Sequence, residues 1–436
     1  MNVINIIKLK FSTGIGRDII WTLIGQVSAM LILLVVNKIL SNYLTVDEYG
    51  KFNIVKRSTS VLSFVLLGGM GITLPRYLSI YIVKAQPRNT QSVLLSSCVY
   101  MLLVFLSISL LYLFLYNRLA SLVVGSYDFK FYIVCLLYSL SLALISYMAA
   151  YYRGIGKFRE FNISQILFQS LMLIPLLLEI RNLYFILLFW TIANFIAIVC
   201  FFMLEIIKFK YIVRHFRPEF QHIKRIFFKV VFYSLPRLCG DFFLFAYSAF
   251  PVIYVGNKLG LEYASYYSVG LSLVTMIAPV FSFLGVILLP LVSKQLSSNN
   301  AKLAESVVSK LTIFYLFLAV VFTIIMYFGM KYMILMFFAE KYMPALEFAK
   351  IISISLLPQS MYLLYRNPND AVSTVPYNTI ILAVCFVLLI CGFYYFHKLL
   401  QFAYVYLVVA CIQCFLSILV WKILIYRKIK AEKYNK

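Results

Sequence analysis

The sequence predicts an all-α polytopic membrane protein of about 12 transmembrane helices in two six-helix lobes, and three observations carry that reading. Of its 436 residues 63% are apolar and 12% charged, far outside the usage of water-soluble domains. Apolar runs such as Ile19 to Leu40, Leu102 to Tyr116 and Phe402 to Ile425 recur along the whole chain, with the length and apolarity that a hydrocarbon layer of roughly 30 Å asks of a helix. Short signatures also recur at about half the chain length.

The spans are placed at 19–40, 54–75, 93–116, 131–152, 163–180, 183–204, 228–256, 264–290, 311–330, 345–365, 377–396 and 402–425. Lys8, Lys10 and Arg17 precede the first run without a small-residue cleavage site, so it is read as an uncleaved first helix. An even number of spans puts both termini on one side. The loops on that side hold 26 Lys and Arg against 8 opposite, which places both termini in the cytoplasm. The same distribution disposes of nucleic acid as a partner: the net +24 sits in short loops between apolar runs, not on a soluble basic face.

No external loop exceeds about 16 residues, which leaves no room for an external catalytic domain. The longest polar connection, Glu205 to Lys229, is cytoplasmic and near mid-chain. It divides the chain into an N-terminal lobe at 1–204, a basic linker at 205–227 and a C-terminal lobe with a basic tail at 228–436. Glu48-Tyr49 and Phe52 return as Glu262-Tyr263 and Tyr266, an offset of 214, and Gly71 returns as Gly285. Leu74-Pro75 matches Leu289-Pro290 at 215, and Tyr152-Arg153 matches Tyr365-Arg366 at 213. Matches in register, at the same place in each helix pair, point to duplication of a six-helix unit. Six being even, the halves share one orientation about an axis along the membrane normal.

Charges inside spans are costly and usually face a bundle interior or a wet cavity. Five cations (Lys38, Lys56, Arg57, Arg237 and Lys350) and one carboxylate, Asp241, are assigned to the spans. Arg237 and Asp241 are four residues apart on one helix face, roughly 14 and 20 Å from its cytoplasmic start. Two readings stay open: a self-neutralising pair that keeps the helix insertable, or an anion ligand with its partner. Pro236 is expected to break the backbone bond ladder beside them, as helices lining a cavity tolerate. Lys56, Ser60, Ser63, Leu67 and Gly71 form one stripe with Arg57 alongside, and Ser355, Gln359, Tyr362 and Arg366 form another. With Gln26 of the first span these suggest a cationic cavity for an anionic passenger, since the planar guanidinium binds phosphate oxygens in pairs. Lys38, Lys56, Arg57 and Lys350 lie near the external ends, where snorkelling to the interface is the plainer reading.

Enzyme signatures are absent: no metalloprotease, phosphate-loop or nucleophile-elbow motif is present, and the only histidines are His215, His222 and His397. The eight cysteines fall inside predicted helices, and Cys411 and Cys414 lack the second pair or the histidine that a metal or redox site needs. No metal, cofactor or catalytic residue is therefore expected.

Gly25-Gln26, the run Leu44-Thr45-Val46-Asp47-Glu48-Tyr49-Gly50-Lys51-Phe52, and Gly68-Gly69-Met70-Gly71-Ile72-Thr73-Leu74-Pro75-Arg76-Tyr77 resemble the N-terminal signature of the bacterial polysaccharide transporter family, which includes the O-antigen flippases. Tyr152-Arg153-Gly154-Ile155-Gly156-Lys157-Phe158-Arg159 resembles the family's loop after the fourth helix. The likeness is best over the first 165 residues; the second-half loop reads Tyr365-Arg366-Asn367-Pro368 and departs from the Gly-rich pattern. The resemblance implies a flippase that moves undecaprenyl-diphosphate-linked oligosaccharide, an O-antigen or capsule precursor, outward by alternating access. Its lipid tail would stay among the membrane lipids, and a polysaccharide polymerase and a chain-length regulator would be its partners. A proton or sodium gradient would drive the cycle, with Asp241 as the deep carboxylate able to couple to it. A drug/cation antiporter of the same superfamily is the nearest alternative, and the cation excess argues against it. A polysaccharide polymerase or ligase is the other, and the missing external loop argues against that.

Overall fold

The structure, a computed structural model, describes residues 14–124, 128–213, 220–297, 300–373 and 375–434. Its helices are α1 (Gly14–Tyr43), α2 (Val46–Leu67), α3 (Met70–Val83), α4 (Pro87–Phe114), α5 (Tyr116–Val124), α6 (Phe129–Gly154), α7 (Phe158–Leu171) and α8 (Ile174–Leu177). They continue as α9 (Leu183–Val213), α10 (Phe220–Leu259), α11 (Leu261–Ser297), α12 (Ala301–Phe337), a 3-10 turn at Glu340–Ala345, α13 (Leu346–Ile354), α14 (Leu356–Val372), α15 (Tyr377–Tyr395) and α16 (Leu399–Tyr434). Among the described residues nine segments are long and apolar enough to cross a membrane. With α1, α11 and the broken pair α13 and α14, the twelve predicted spans each find a helix, in order.

The distribution of side chains is that of a chain dissolved in lipid. On α4, Leu102, Leu103, Leu106 and Leu110 face outward, whereas Ser92, Ser96 and Ser97 are buried. Lipid tails give leucine no reason to turn inward, and small hydroxyl residues let helices approach and bond. Ser97 Oγ lies 2.6 Å from the Tyr147 hydroxyl of α6.

The chain forms two compact units: Met1–Leu44 with Ile54–Phe245, and Thr45–Asn53 with Ala246–Lys436. In the first, α3 packs on α4 and α6, α6 on α9, and α1 on α7. Leu66, Leu67, Met70, Leu74, Leu78 and Val230 form its core. In the second, α14 packs against α11, α12 and α16, and α15 against α16. Aromatic pairs fill it: Phe393 stacks on Phe402 at 4.5 Å, and Tyr267 lies 4.6 Å from Phe348.

The start of α2 belongs to the second unit, where the Tyr49 ring sits 5.1 Å from that of Tyr342. A reciprocal cap fixes this end. The Thr45 amide donates to the Glu48 carboxylate at 2.9 Å, and the Glu48 amide donates to Thr45 Oγ1 at 3.2 Å. Glu48→Ala removes one half of that box and is expected to cost about 1 kcal/mol, read as a lower thermal midpoint in detergent.

Three spans differ from expectation in a way that matters to the site. The second is not one helix ending near residue 75: α2 stops at Leu67, Gly68 and Gly69 take φ of 62° and 76°, and α3 then runs on to Val83. Consecutive left-handed residues end a helix, and glycine adopts them without a Cβ penalty. The tenth span is likewise broken at Ser355 and extends to Val372. The seventh begins earlier, at Phe220, and runs unbroken through Pro236. Pro236 interrupts the bond ladder without breaking the helix, because a single proline frees only the Phe232 carbonyl and the rest of a long helix holds. α5 was not foreseen; it occupies the connection between the third and fourth spans.

Candidate functional site

α10 presents Lys229, Tyr233, Arg237 and Asp241 at intervals of four residues, which puts them along one helical stripe. Within the first unit this stripe meets α3. The Arg76 Nη1 of α3 donates to the Tyr233 hydroxyl, and its guanidinium carbon lies 4.6 Å from the Tyr233 ring centroid. The Arg237 guanidinium carbon lies 3.4 Å from the same centroid, while its Nη1 donates to the Tyr233 carbonyl at 3.0 Å. One tyrosine thus carries two arginines. Below it Tyr77 meets Tyr233 edge-on at 5.4 Å and stacks with Tyr81 at 6.2 Å. Lys229 Nζ lies 5.3 Å from the Tyr77 centroid and donates to the Tyr81 hydroxyl at 3.2 Å.

The cations are held by ring faces, whose negative quadrupole attracts them, and not by carboxylates. Among the described residues no ion pair joins Arg76, Lys229 or Arg237 to an acid. A guanidinium has five N–H donors; a ring face and one or two bonds leave donors for an incoming anion. Arg76 and Lys229 are exposed and Arg237 is half-buried.

The structure brings together only part of what the sequence nominated. Arg237 and Asp241 share the stripe. Lys56 and Arg57 are half-buried on α2, but twelve and eleven residues before Gly68 they stand roughly 18 and 16 Å along the helix from the break. Ser60 and Ser63, expected to line a wet face with them, donate instead to their own helix at the Lys56 and Ser60 carbonyls. Lys38 is half-buried near the end of α1. Gln26 lies in α1, and its side chain is outside the described ones. Lys350 is paired on its own helix turn with Glu347 at 2.8 Å. Arg366, on α14, has Asp370 within electrostatic reach one turn on, and the Asn378 amide bridges the Arg366 carbonyl and the Asp370 carboxylate at 2.8 and 2.7 Å.

Two corrections follow. Glu347 falls inside the tenth predicted span, and the extension of α14 adds Asp370, so Asp241 is not the one carboxylate on the spanning helices. Arg76 and Lys229, counted from sequence as loop charges that set topology, lie within α3 and α10. The four-residue spacing of Lys229, Tyr233 and Arg237 was the available signal for the second. For Arg76 there was none, because an apolar window cannot tell a helix that ends from one that kinks and continues.

The fold, two units built of membrane-crossing helices, defines the class: a multi-pass membrane protein. The chain belongs to the polysaccharide biosynthesis protein family, whose pattern it matches over residues 15–296. No curated protein matches the sequence. Among solved structures it is similar to a multidrug resistance MATE family transporter of the MOP superfamily in an inward-facing conformation (TM-score 0.70, 12% identity, covering 93% of this chain and 96% of that one). It is similar also to a MOP superfamily transporter from Pyrococcus furiosus described as having a binding pocket of reverse polarity (0.63, 13%, 96% and 95%). A eukaryotic MATE transporter shares the fold as well (0.64, 14%, 96% and 98%).

Proposed function

We propose that this protein is a flippase that carries a diphosphate-linked oligosaccharide lipid from the cytoplasmic to the external leaflet of a bacterial inner membrane, with both termini in the cytoplasm. The observation that carries the reading is the pair Arg76 and Arg237 on Tyr233, two guanidiniums held at one ring with no ion pair to an acid among the described residues. A diphosphate offers paired oxygens to each fork, and charge-assisted bonds of this kind are roughly twice as strong as neutral ones. The tyrosines below supply hydroxyls and flat faces for the first sugars, and the lipid tail needs no protein site. A cationic drug would be repelled by the same cluster.

The test is translocation in proteoliposomes of a fluorescent polyprenyl-diphosphate-linked oligosaccharide, with and without a proton or sodium gradient. Protein-dependent transfer of the head to the other leaflet is expected. Efflux of cationic dyes with no movement of the lipid-linked sugar would overturn the proposal.

A further inference from the structure

Two segments singled out from the sequence, Gly68 to Tyr77 and Tyr152 to Gly154, meet around Arg76. Pro75 has no amide hydrogen, so the Gly71 carbonyl loses the helical donor that residue i+4 supplies. In a membrane-crossing helix an unmet carbonyl is costly. Arg153, at the end of α6, fills the vacancy: its Nη2 donates to the Gly71 carbonyl at 3.1 Å while its Nε donates to the Ala149 carbonyl at 3.4 Å. The next residue, Gly154, lets α6 press on α3 at the residue before Arg76, since a Cβ there would stand 2.9 Å from Pro75 Cα and 3.0 Å from Leu78 Cβ. On the other side a Cβ on Gly69 would meet the Ser234 carbonyl of α10 at 2.5 Å, and the Ser234 hydroxyl donates to Thr73 Oγ1 at 3.0 Å. The short helix α3 is therefore clamped between α6 and the very turn of α10 that carries Tyr233 and Arg237.

We infer that Arg153 is a positioning residue: by capping the carbonyl that Pro75 strands, it fixes α3 and sets the spacing of Arg76 from Arg237. In the second half Leu291 stands where the repeat puts Arg76 and Asn367 stands for Gly154, so the repeat supplies no counterpart of Arg76. This rests on the diphosphate reading above for its functional consequence, but not for its geometry.

The test therefore has two arms on full-length protein in detergent. In the first, binding of farnesyl diphosphate is measured. Arg76→Gln is expected to weaken it about tenfold and Arg153→Met by a similar factor, Arg153→Lys to restore most of the loss, and Arg153→Met to cost nothing further once Arg76→Gln is present. Unchanged affinity in Arg153→Met while Arg76→Gln is impaired, or losses that multiply, overturns the inference. No effect of Arg76→Gln itself sinks the diphosphate reading instead. The second arm needs no ligand: spin labels at Arg76→Cys and Arg237→Cys, with the eight native cysteines replaced, report their separation. The distribution is expected to shift or broaden with Arg153→Met and to be kept with Arg153→Lys; an unchanged distribution overturns the inference. Should Arg153→Met not accumulate, Gly154→Ala, which pushes on the same Pro75, takes its place in both arms with the same outcomes decisive.

Discussion

Arg237→Gln is expected to lower translocation of a diphosphate-linked lipid by about 10- to 100-fold, the range that follows from losing one bond to a charged group at about 1.5–3 kcal/mol. The effect should be large because the side chain is half-buried and held on the Tyr233 ring at 3.4 Å, so its orientation is set before any ligand arrives. Arg237→Lys should recover only part of the loss, since an ammonium keeps the charge and lacks the paired fork. Lys350→Gln is the matched control. That lysine already faces Glu347 at 2.8 Å on its own turn, and exposed pairs of this kind contribute little, so transport should be unchanged. The readout is the rate of head-group transfer in proteoliposomes at fixed salt. Equal rates for Arg237→Gln and the unaltered protein would remove Arg237 from the site.

Gly69→Ala is the second substitution expected to act strongly, on stability and on the site together. At φ of 76° an alanine pays about 1–2 kcal/mol for the left-handed conformation. Its methyl would also stand 2.5 Å from the Ser234 carbonyl, which is backbone and cannot rotate away. Either α2 and α3 straighten or α10 moves off α3, and both separate Arg76 from Tyr233. A fall in thermal midpoint accompanied by weakened farnesyl diphosphate binding is expected. Gly329→Ala on α12, where nothing lies within 4 Å of the added methyl, should leave binding alone and stabilise its helix by up to about 1 kcal/mol. Similar behaviour of the two variants would contradict the packing described at Gly69.

Arg237 was legible in the sequence because a charge inside an apolar run stands out against its neighbours. Its companions were not. Arg76 and Lys229 sit where apolar runs fade, and at such places a cation is fully accounted for by the positive-inside pattern. The kink at Gly68 and Gly69, after which α3 runs on to Val83, places Arg76 on a spanning helix, and the start of α10 at Phe220 places Lys229 more than two turns inside its helix and not at its edge. Lys350 shows the converse: its charge stands out in the span, and the structure adds that Glu347, one turn before it, is its partner.

The sequence by itself determined the solvent, the number and order of the spans, and the excess of cations over acids. These follow from apolarity and charge, which are local properties that add along the chain and survive errors of a few residues at each helix end. The tertiary structure decided which cations meet. That depends on where a helix kinks and how closely two backbones approach, and both are set by single residues, Gly69 against Ser234 and Gly154 against Pro75. It also decided that Arg153, read from sequence as one more loop cation, is the donor for the carbonyl left open by Pro75, because an unmet backbone group in lipid must find a partner wherever the fold supplies one.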